Sequence, residues 1–430
     1  MTYKEARVYL DEVSKYGSVL GLDAVQNLLY ELGNPQDDLR FIHIAGTNGK
    51  GSVLAFTSSI LSEAGLKTGR YISPTVISYL ERIQIDGKWI LEVEFAELVE
   101  EVQRAIVRME AKGMTGPTVF EIETAIAFLY FQRKHCDVVV LETGLGGILD
   151  ATNIIKNTVV AVFTSISRDH MGYLGDTLDE IARNKAGIIK PGCIVVSAAQ
   201  RPMVRKELEL YAEKYGCRVR FAAPEEAVIL EQDYHGQTFS YREMEHLQIK
   251  MSGSYQLSNA VAAWEAIDAW NSISEHQIPE QAVRRGFLKA QLPGRFTCIK
   301  ERPTFIIDGA HNVDAAKRLR ESVELFFPGR RLVYIMGVFR DKEYEKMSEI
   351  MAPLAECIYT VSLPDQNRTL PAGELKHAVE PYCTGPVYAV GDVNRAVEKA
   401  LQDAQEEEVI LAFGSLSYLG QVIKRAKEWK

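Results

Sequence analysis

The chain lacks the features that would tie it to a membrane or a polyanion. Nowhere in its 430 residues does an apolar run approach the roughly 20 residues that a membrane-crossing helix needs. The opening "MTYKEARVYL" puts charges where a secretory signal needs an apolar core. Positive charge is in deficit: 49 Lys and Arg stand against 58 Asp and Glu, a formal net charge of -9. That balance argues against an electrostatic grip on nucleic acid or acidic lipid. Cysteine is sparse, with six residues and no CxxC spacing. This excludes a disulfide framework and the common zinc ribbons, and reads as reduced structural thiols. There is no short-period repeat and no low-complexity tract. The expectation is a cytoplasmic protein with small-molecule substrates and neither nucleic acid nor membrane as partner.

What is present is an ordinary globular composition, 47% hydrophobic and 25% charged, in a chain long enough for two or three domains. Short apolar, β-branched runs such as "RFIHIAG", "DVVVLETG", "TVVAVFTSI" and "CIVVSAA" alternate with helical stretches such as "SVLAFTSSILSEAG" and "TLDEIARNKAG". Continuous apolar strands between helices predict an α/β fold with a mostly parallel sheet, covered on both faces. The segment "AVILEQDYHGQTFSYREMEHLQIKMSG" breaks this rhythm, and its alternation predicts a small antiparallel excursion. A second series of strands begins near Thr304 with "TFIIDGAH", "RLVYIMGVF", "ECIYTVSL", "PVYAVGD" and "EVILAFGS". Between the two series lies "QLPGRFTCIKERP", rich in Pro, Gly and Arg, which sets the expected domain boundary at about residue 297.

Four motifs carry chemistry. "HIAGTNGKGS" runs from an apolar strand through a glycine-rich turn into a helix beginning near Lys50. It misses the common phosphate-loop pattern G-x-x-x-x-G-K-[ST], because Gly51 separates Lys50 from Ser52 and the first glycine is Gly46. Its context still suits phosphate. Gly46, Gly49 and Gly51 allow successive N–H groups to face one anion, at a helix N-terminus of partial positive charge. "LETGLGGILDATN" places Glu142 at the end of a strand, where open α/β sheets line their ligand crevice and a carboxylate can hold magnesium. Gly144, Gly146 and Gly147 would let the chain approach a ligand. In "TSISRDHMGYLGDTLDEIARNKAGIIKPG", Asp169 and His170 follow another strand, and Lys185 lies on the next helix. On residue type alone His170 reads as structural and Lys185 as solvated. "IIDGAHNVDAA" sets Asp308, His311 and Asn312 after the first strand of the second series. Arg295 in "LPGRF" suits either a bidentate phosphate clamp or an interdomain salt bridge.

Taken in order from about residue 20 to about residue 420, these stretches, with "SPTVISYLERI", "FEIETAIAF" and "FGSLSYLG", resemble the folylpolyglutamate and dihydrofolate synthase family of the Mur ligase superfamily. In that family the extra glycine before the hydroxyl residue is the expected form of the loop. The resemblance implies two α/β domains. Residues 1–297 would be an ATP-binding domain of the P-loop ATPase type, with a mostly parallel sheet and helices on both faces. Residues 298–430 would be a smaller, Rossmann-like glutamate-ligase domain. It implies an ATP-dependent ligase: an acceptor carboxylate, on a folate or dihydropteroate, becomes an acyl phosphate and is joined to L-glutamate.

The resemblance also implies residue roles. Gly49, Lys50, Gly51 and Ser52 would hold the ATP phosphates, with Asn259, Arg295 and Asp308 as further nucleotide contacts. Ser52 and Glu142 would hold one Mg²⁺, and Ser73, Glu142 and His170 a second. Lys50, Lys185 and His170 would be catalytic, with Lys185 carbamylated. Thr118, Val119, Phe120 and Glu121, with Leu149, Asp150 and Ala151, match the region that holds the pterin-bearing substrate. His311 would lie on the glutamate side, and a monomer is the expected state. The departures from the family's usual spelling cluster on the acceptor side. Ile148 replaces an arginine, Thr75 a histidine and Leu80 an asparagine, while "SRDH" and "DGAHNVDA" replace "GLDH" and "DGAHNPHA". A cation lost at 148 weakens the grip expected on an anionic glutamyl tail.

Overall fold

The computed structural model describes residues 1–14 and 21–429. Contacts gather the chain into two compact units. One comprises residues 1–73, 80–227 and 258–290, the other 74–79, 228–257 and 291–430.

The first unit is built on eight strands: β1 (Phe41–Ala45), β2 (Thr68–Tyr71), β3 (Ile83–Ile85), β4 (Lys88–Trp89), β5 (Val138–Glu142), β6 (Thr158–Phe163), β7 (Ile194–Ser197) and β8 (Arg218–Phe221). Their order is β4-β3-β2-β5-β1-β6-β7-β8. At one edge β3 pairs antiparallel with both β2 and β4, and the remaining neighbours are parallel. β1 and β5 are buried along their whole length, the signature of a sheet covered on both faces. From β1 the chain moves to β2 on one side, and from β6 it continues to β7 on the other. The carboxyl ends of β1, β5 and β6 therefore surround the place where strand order reverses, the usual ligand crevice of such sheets.

The second unit holds two sheets. β9 (Val228–Asp233), β10 (Gly236–Tyr241) and β11 (Met244–Ile249) form the antiparallel excursion expected from the sequence. β12 (Thr297–Glu301), β13 (Thr304–Ile307), β14 (Leu332–Met336), β15 (Cys357–Val361), β16 (Val387–Gly391) and β17 (Val409–Phe413) pair in the order β12-β13-β17-β14-β15-β16. All of these pairs are parallel except β12 with β13. Alternation along the strands feeds two cores. Ile306, Tyr334 and Met336 pack on one face, and Phe305, Ile307, Val333 and Ile335 on the other.

Two findings differ from the sequence reading. The Pro, Gly and Arg-rich stretch expected as a connector contains β12, an edge strand whose antiparallel pairing needs only a tight return to β13. The excursion β9–β11 gathers with the residues after 291. The ring of Tyr234, just after β9, lies 5.3 Å from that of Phe327, tilted by 43°, and Ser254 N–H donates to Ser322 Oγ at 2.9 Å.

In the first unit, helix Lys50–Glu63 lies against helix Glu280–Lys289. The backbones meet at Gly286, where an added Cβ would press on the backbone of Ile60 at 2.6 Å from its nitrogen. Gly286→Ala is therefore expected to lower the unfolding free energy by about 1–3 kcal/mol, the usual cost of forcing an extra carbon into a packed contact. Urea unfolding of the purified variant measures it, and an unchanged midpoint would contradict this close approach.

Candidate active site

The glycine-rich loop follows β1, and its helix begins at Lys50 as the sequence predicts, with Gly49 as N-cap at φ 93°. That left-handed turn suits glycine, and an added Cβ would collide with the side-chain oxygen of Asn259. Asn259, in helix Gln256–Asn271, is thus held against the loop. The loop's N–H groups do not all face one anion. Those of Thr47 and Asn48 donate to the Ser165 carbonyl at 2.8 and 3.3 Å. Thr47 Oγ1 donates to the Ser167 carbonyl at 3.0 Å. The loop is laced to the segment after β6, and the N–H groups left for an anion are those of the helix's first turn, which have no intrahelical acceptor. Gly51 and Ser52 lie in that turn. Ser52 is 1% exposed, and its hydroxyl has no hydrogen-bond partner among the described residues.

Glu142 closes β5 directly beside β1, in register with Ile44. Its carboxylate is buried, lies 3.9 Å from Lys50 Nζ, and accepts from Ser73 N–H at 3.3 Å. Lys50 Nζ also donates to the Gly46 carbonyl at 3.3 Å. Lys185, in the last turn of helix Leu178–Ala186, is buried rather than solvated and donates to the same carbonyl at 2.8 Å. Burial first, and then the neighbouring charge of Lys50, bring its amine down to about 7. Lys50, Ser52, Ser73, Glu142 and Lys185 thus gather at the carboxyl ends of β1 and β5.

His170 lies in the loop after β6 with a left-handed φ of 51°. Its imidazole is more than a third exposed, 3.9 Å from Asp169.

Thr118 and Glu121 cap helix Val119–Arg133: Glu121 accepts from the Thr118 N–H at 2.7 Å and from its hydroxyl at 2.8 Å. Val119 and Phe120 are half-buried. The glycines after Glu142 serve packing rather than ligand approach. An added Cβ at Gly144 would meet the Phe120 ring at 2.5 Å, and one at Gly147 the Lys185 Cα at 2.9 Å. Gly147 N–H donates to Asn184 Oδ1, and Ile148 N–H to the Asn184 carbonyl, both at 3.0 Å. The loop 144–153 is thereby clamped to the helix that carries Lys185. Ile148 and Leu149 are 40% and 44% exposed, whereas Asp150 and Ala151 are buried.

The second unit has its own polar cluster. Asp308 is buried and accepts from Tyr255 OH at 2.7 Å, Phe296 N–H at 2.8 Å and Ala310 N–H at 2.8 Å. Burial raises its carboxyl above the ordinary range. Arg295 lies over Gly309, where an added Cβ would come within 3.2 Å of its guanidinium. His311 Nδ1 meets the Gly309 carbonyl at 2.8 Å, which fixes the ring. Asn312 caps helix Val313–Phe326. The motif reading missed Tyr255, Asn184 and His43, the last buried within an otherwise apolar β1.

Residues 44–267 match the Mur ligase middle domain, and residues 294–416 the Mur ligase glutamate ligase domain. Fold and site thus define a Mur ligase. The dihydrofolate synthase/folylpolyglutamate synthase of Bacillus subtilis (strain 168) is 34% identical over 432 residues, 99% of each chain. Mycobacterium tuberculosis folylpolyglutamate synthase complexed with ADP superposes with a TM-score of 0.90 at 28% identity, covering 98% of both chains. E. coli FolC in complex with DHPP and ADP does so with 0.87 at 29% identity, over 100% of this chain and 98% of that one. The chain belongs to the folylpolyglutamate synthase/dihydrofolate synthase family of ATP-dependent ligases. Among the described residues no helix is long and apolar enough to cross a membrane.

The state of Lys185 yields a stability prediction. Its amine titrates near 7 in the fold against an ordinary 10.5, so between those values the unfolded chain binds a proton that the native state lacks. Stability rises with pH across that window, and the burial cost is greatest at and below its lower end. Lys185→Met removes this term. In carbonate-free buffer its thermal midpoint should exceed the parent's most near neutral pH, with the gap narrowing as pH approaches 10.5. A gap independent of pH would refute the assignment.

Proposed function

We propose that this chain joins L-glutamate to the free carboxylate of a folate or of dihydropteroate at the expense of ATP. The observation that carries the reading is the pairing of Lys50 with buried Glu142, together with the Ser52 hydroxyl, which has no partner among the described residues, at the N-terminus of a buried helix. In the proposed reaction the N–H groups of Gly49 to Ser52 and the Lys50 ammonium hold the phosphates, where positioning and charge neutralisation do most of the work of phosphoryl transfer. The acceptor carboxylate attacks the γ-phosphorus and releases ADP. The glutamate amine then attacks the acyl phosphate, and the tetrahedral intermediate collapses to amide and inorganic phosphate. Asn259, Arg295 and Asp308 are proposed nucleotide contacts, and His311 a residue on the glutamate side.

Ser52 and Glu142 fit a magnesium ion by donor type, a hydroxyl and a carboxylate, both buried. Ser73, Glu142 and His170 are the proposed ligands of a second. Bound magnesium would supply neutralisation of phosphate charge. Lys185 is proposed as a carbamylation site: with its amine near 7, much of it is neutral at physiological pH, and the neutral amine is the form that takes up carbon dioxide. Thr118 to Glu121 and Leu149 to Ala151 are the proposed acceptor side. The exposed, uncharged Ile148 favours dihydropteroate among the acceptors, since it carries no glutamyl tail for a cation to hold.

Incubation with ATP, Mg²⁺, L-glutamate and either dihydropteroate or a reduced folate should add a glutamyl unit to at least one, detected by mass. No gain on either overturns the proposal. Glu142→Ala should lower acceptor-dependent ADP release by about a hundredfold or more, as loss of a transition-state electrostatic partner does; release at the parental rate would exclude Glu142 from the site. With ¹³C-bicarbonate the parent should show a carbamate resonance that Lys185→Met lacks, and its absence from both would rule carbamylation out.

A further inference from the structure

We propose that His43 is a positioning residue of the acceptor loop, acting through the Thr152 hydroxyl to fix the Asp150 carboxylate. The proposal rests on the reading above that Leu149 to Ala151 face the acceptor.

His43 is the only polar side chain of β1 and has no exposed surface. Its Nε2 lies 2.8 Å from Thr152 Oγ1, across 109 residues of chain. Thr152 is equally buried, and its hydroxyl donates to Asp150 Oδ1 at 2.5 Å. A hydroxyl has one proton to give. With that proton committed to Asp150, Thr152 Oγ1 can only accept from His43, so the imidazole carries its proton on Nε2. Burial holds the ring neutral, with its titration pushed down to about 3. Thr152 N–H adds a bond to Asp150 Oδ1 at 3.1 Å, and Leu145 N–H reaches Oδ2 at 2.7 Å. Asp150 thereby spans both ends of its loop and caps the turn Ala151–Ile154.

The other ring nitrogen argues against a merely space-filling role. His43 Nδ1 is buried with no partner among the described residues, a penalty that an aliphatic side chain would avoid. What the histidine provides is an N–H aimed at one hydroxyl. It couples the strand that enters the phosphate loop to the loop that carries Ile148 and Leu149.

Three single variants, one double variant and one spectrum test this. His43→Leu removes the donor. Thr152→Val removes the bridge at nearly constant shape and serves if His43→Leu fails to fold. His43→Gln can place an amide N–H near the same position. His43→Leu and Thr152→Val should each raise the acceptor KM about tenfold, the effect of one buried hydrogen bond, with kcat and the ATP KM little changed. The double variant should be no worse than either single one, because both cut the same chain. His43→Gln should restore most of the acceptor KM. In the ligand-free protein with ¹⁵N-labelled histidine, the resonance lost in His43→Gln should be that of a neutral ring protonated on Nε2. A ring protonated on Nδ1, additive effects of the two variants, or an equal rise in the ATP KM would each overturn the proposal. The spectrum needs no substrate: an Nε2-protonated ring in a protein inactive on folates and pteroates would support the chain of hydrogen bonds while defeating the proposed reaction.

Discussion

The first unit depends on one hydrogen bond made in an unfavourable place, from the buried amine of Lys185 to the carbonyl of Gly46. Burying an amine without a partner would be costly, and among the described residues the Gly46 carbonyl is its acceptor. The bond draws helix Leu178–Ala186 to the end of β1, and the Gly147 backbone then settles on Lys185 itself. The glycine-rich loop after β1, the loop 144–153 and the helix meet around that amine. Residues with larger side chains at 146 or 147 would hold them apart.

The electrostatics follow from the same crowding. Lys50 and Lys185 donate to one carbonyl, and the charge of Lys50 disfavours a charge on Lys185. Glu142 offsets Lys50 from the neighbouring strand. The arrangement brings the Lys50 side chain, one amine poised near neutrality and one buried carboxylate together at the carboxyl ends of β1 and β5. Such a balance accommodates an incoming polyanion without leaving a bare cluster of positive charge in its absence.

The parts of this site written locally in the chain were legible in its sequence. Strand, glycine turn and helix at 41–63 form one continuous stretch, so Lys50 and Ser52 could be placed at the start of that helix from local context although the spacing departs from the common pattern. Glu142 was legible because a charge that ends an apolar run marks a strand's carboxyl end. Lys185 was not. Beside Asp179 and Arg183 it has the look of a solvated helix face, and only the glycines some 40 positions earlier allow a loop to cover it. The glycines themselves were read as room for a ligand, because sequence does not tell which neighbour uses the space. The Thr118–Glu121 capping box was a local signal, three residues apart, that went unread. β12 was obscured by the prolines and glycines on either side of a short alternating run.

Asp308 has a consequence for how this protein can be divided. Its donors come from three separate stretches, Tyr255, Phe296 and Ala310, two of them upstream of the boundary that composition suggests at 297. A fragment starting at 298 would keep a buried carboxylate with one donor of the three and would lose the first residue of β12. The second unit is therefore not a detachable cassette. Its modularity in sequence exceeds its modularity in matter, and any graft or circular permutation that preserves it must carry 228–257 along with the C-terminal third.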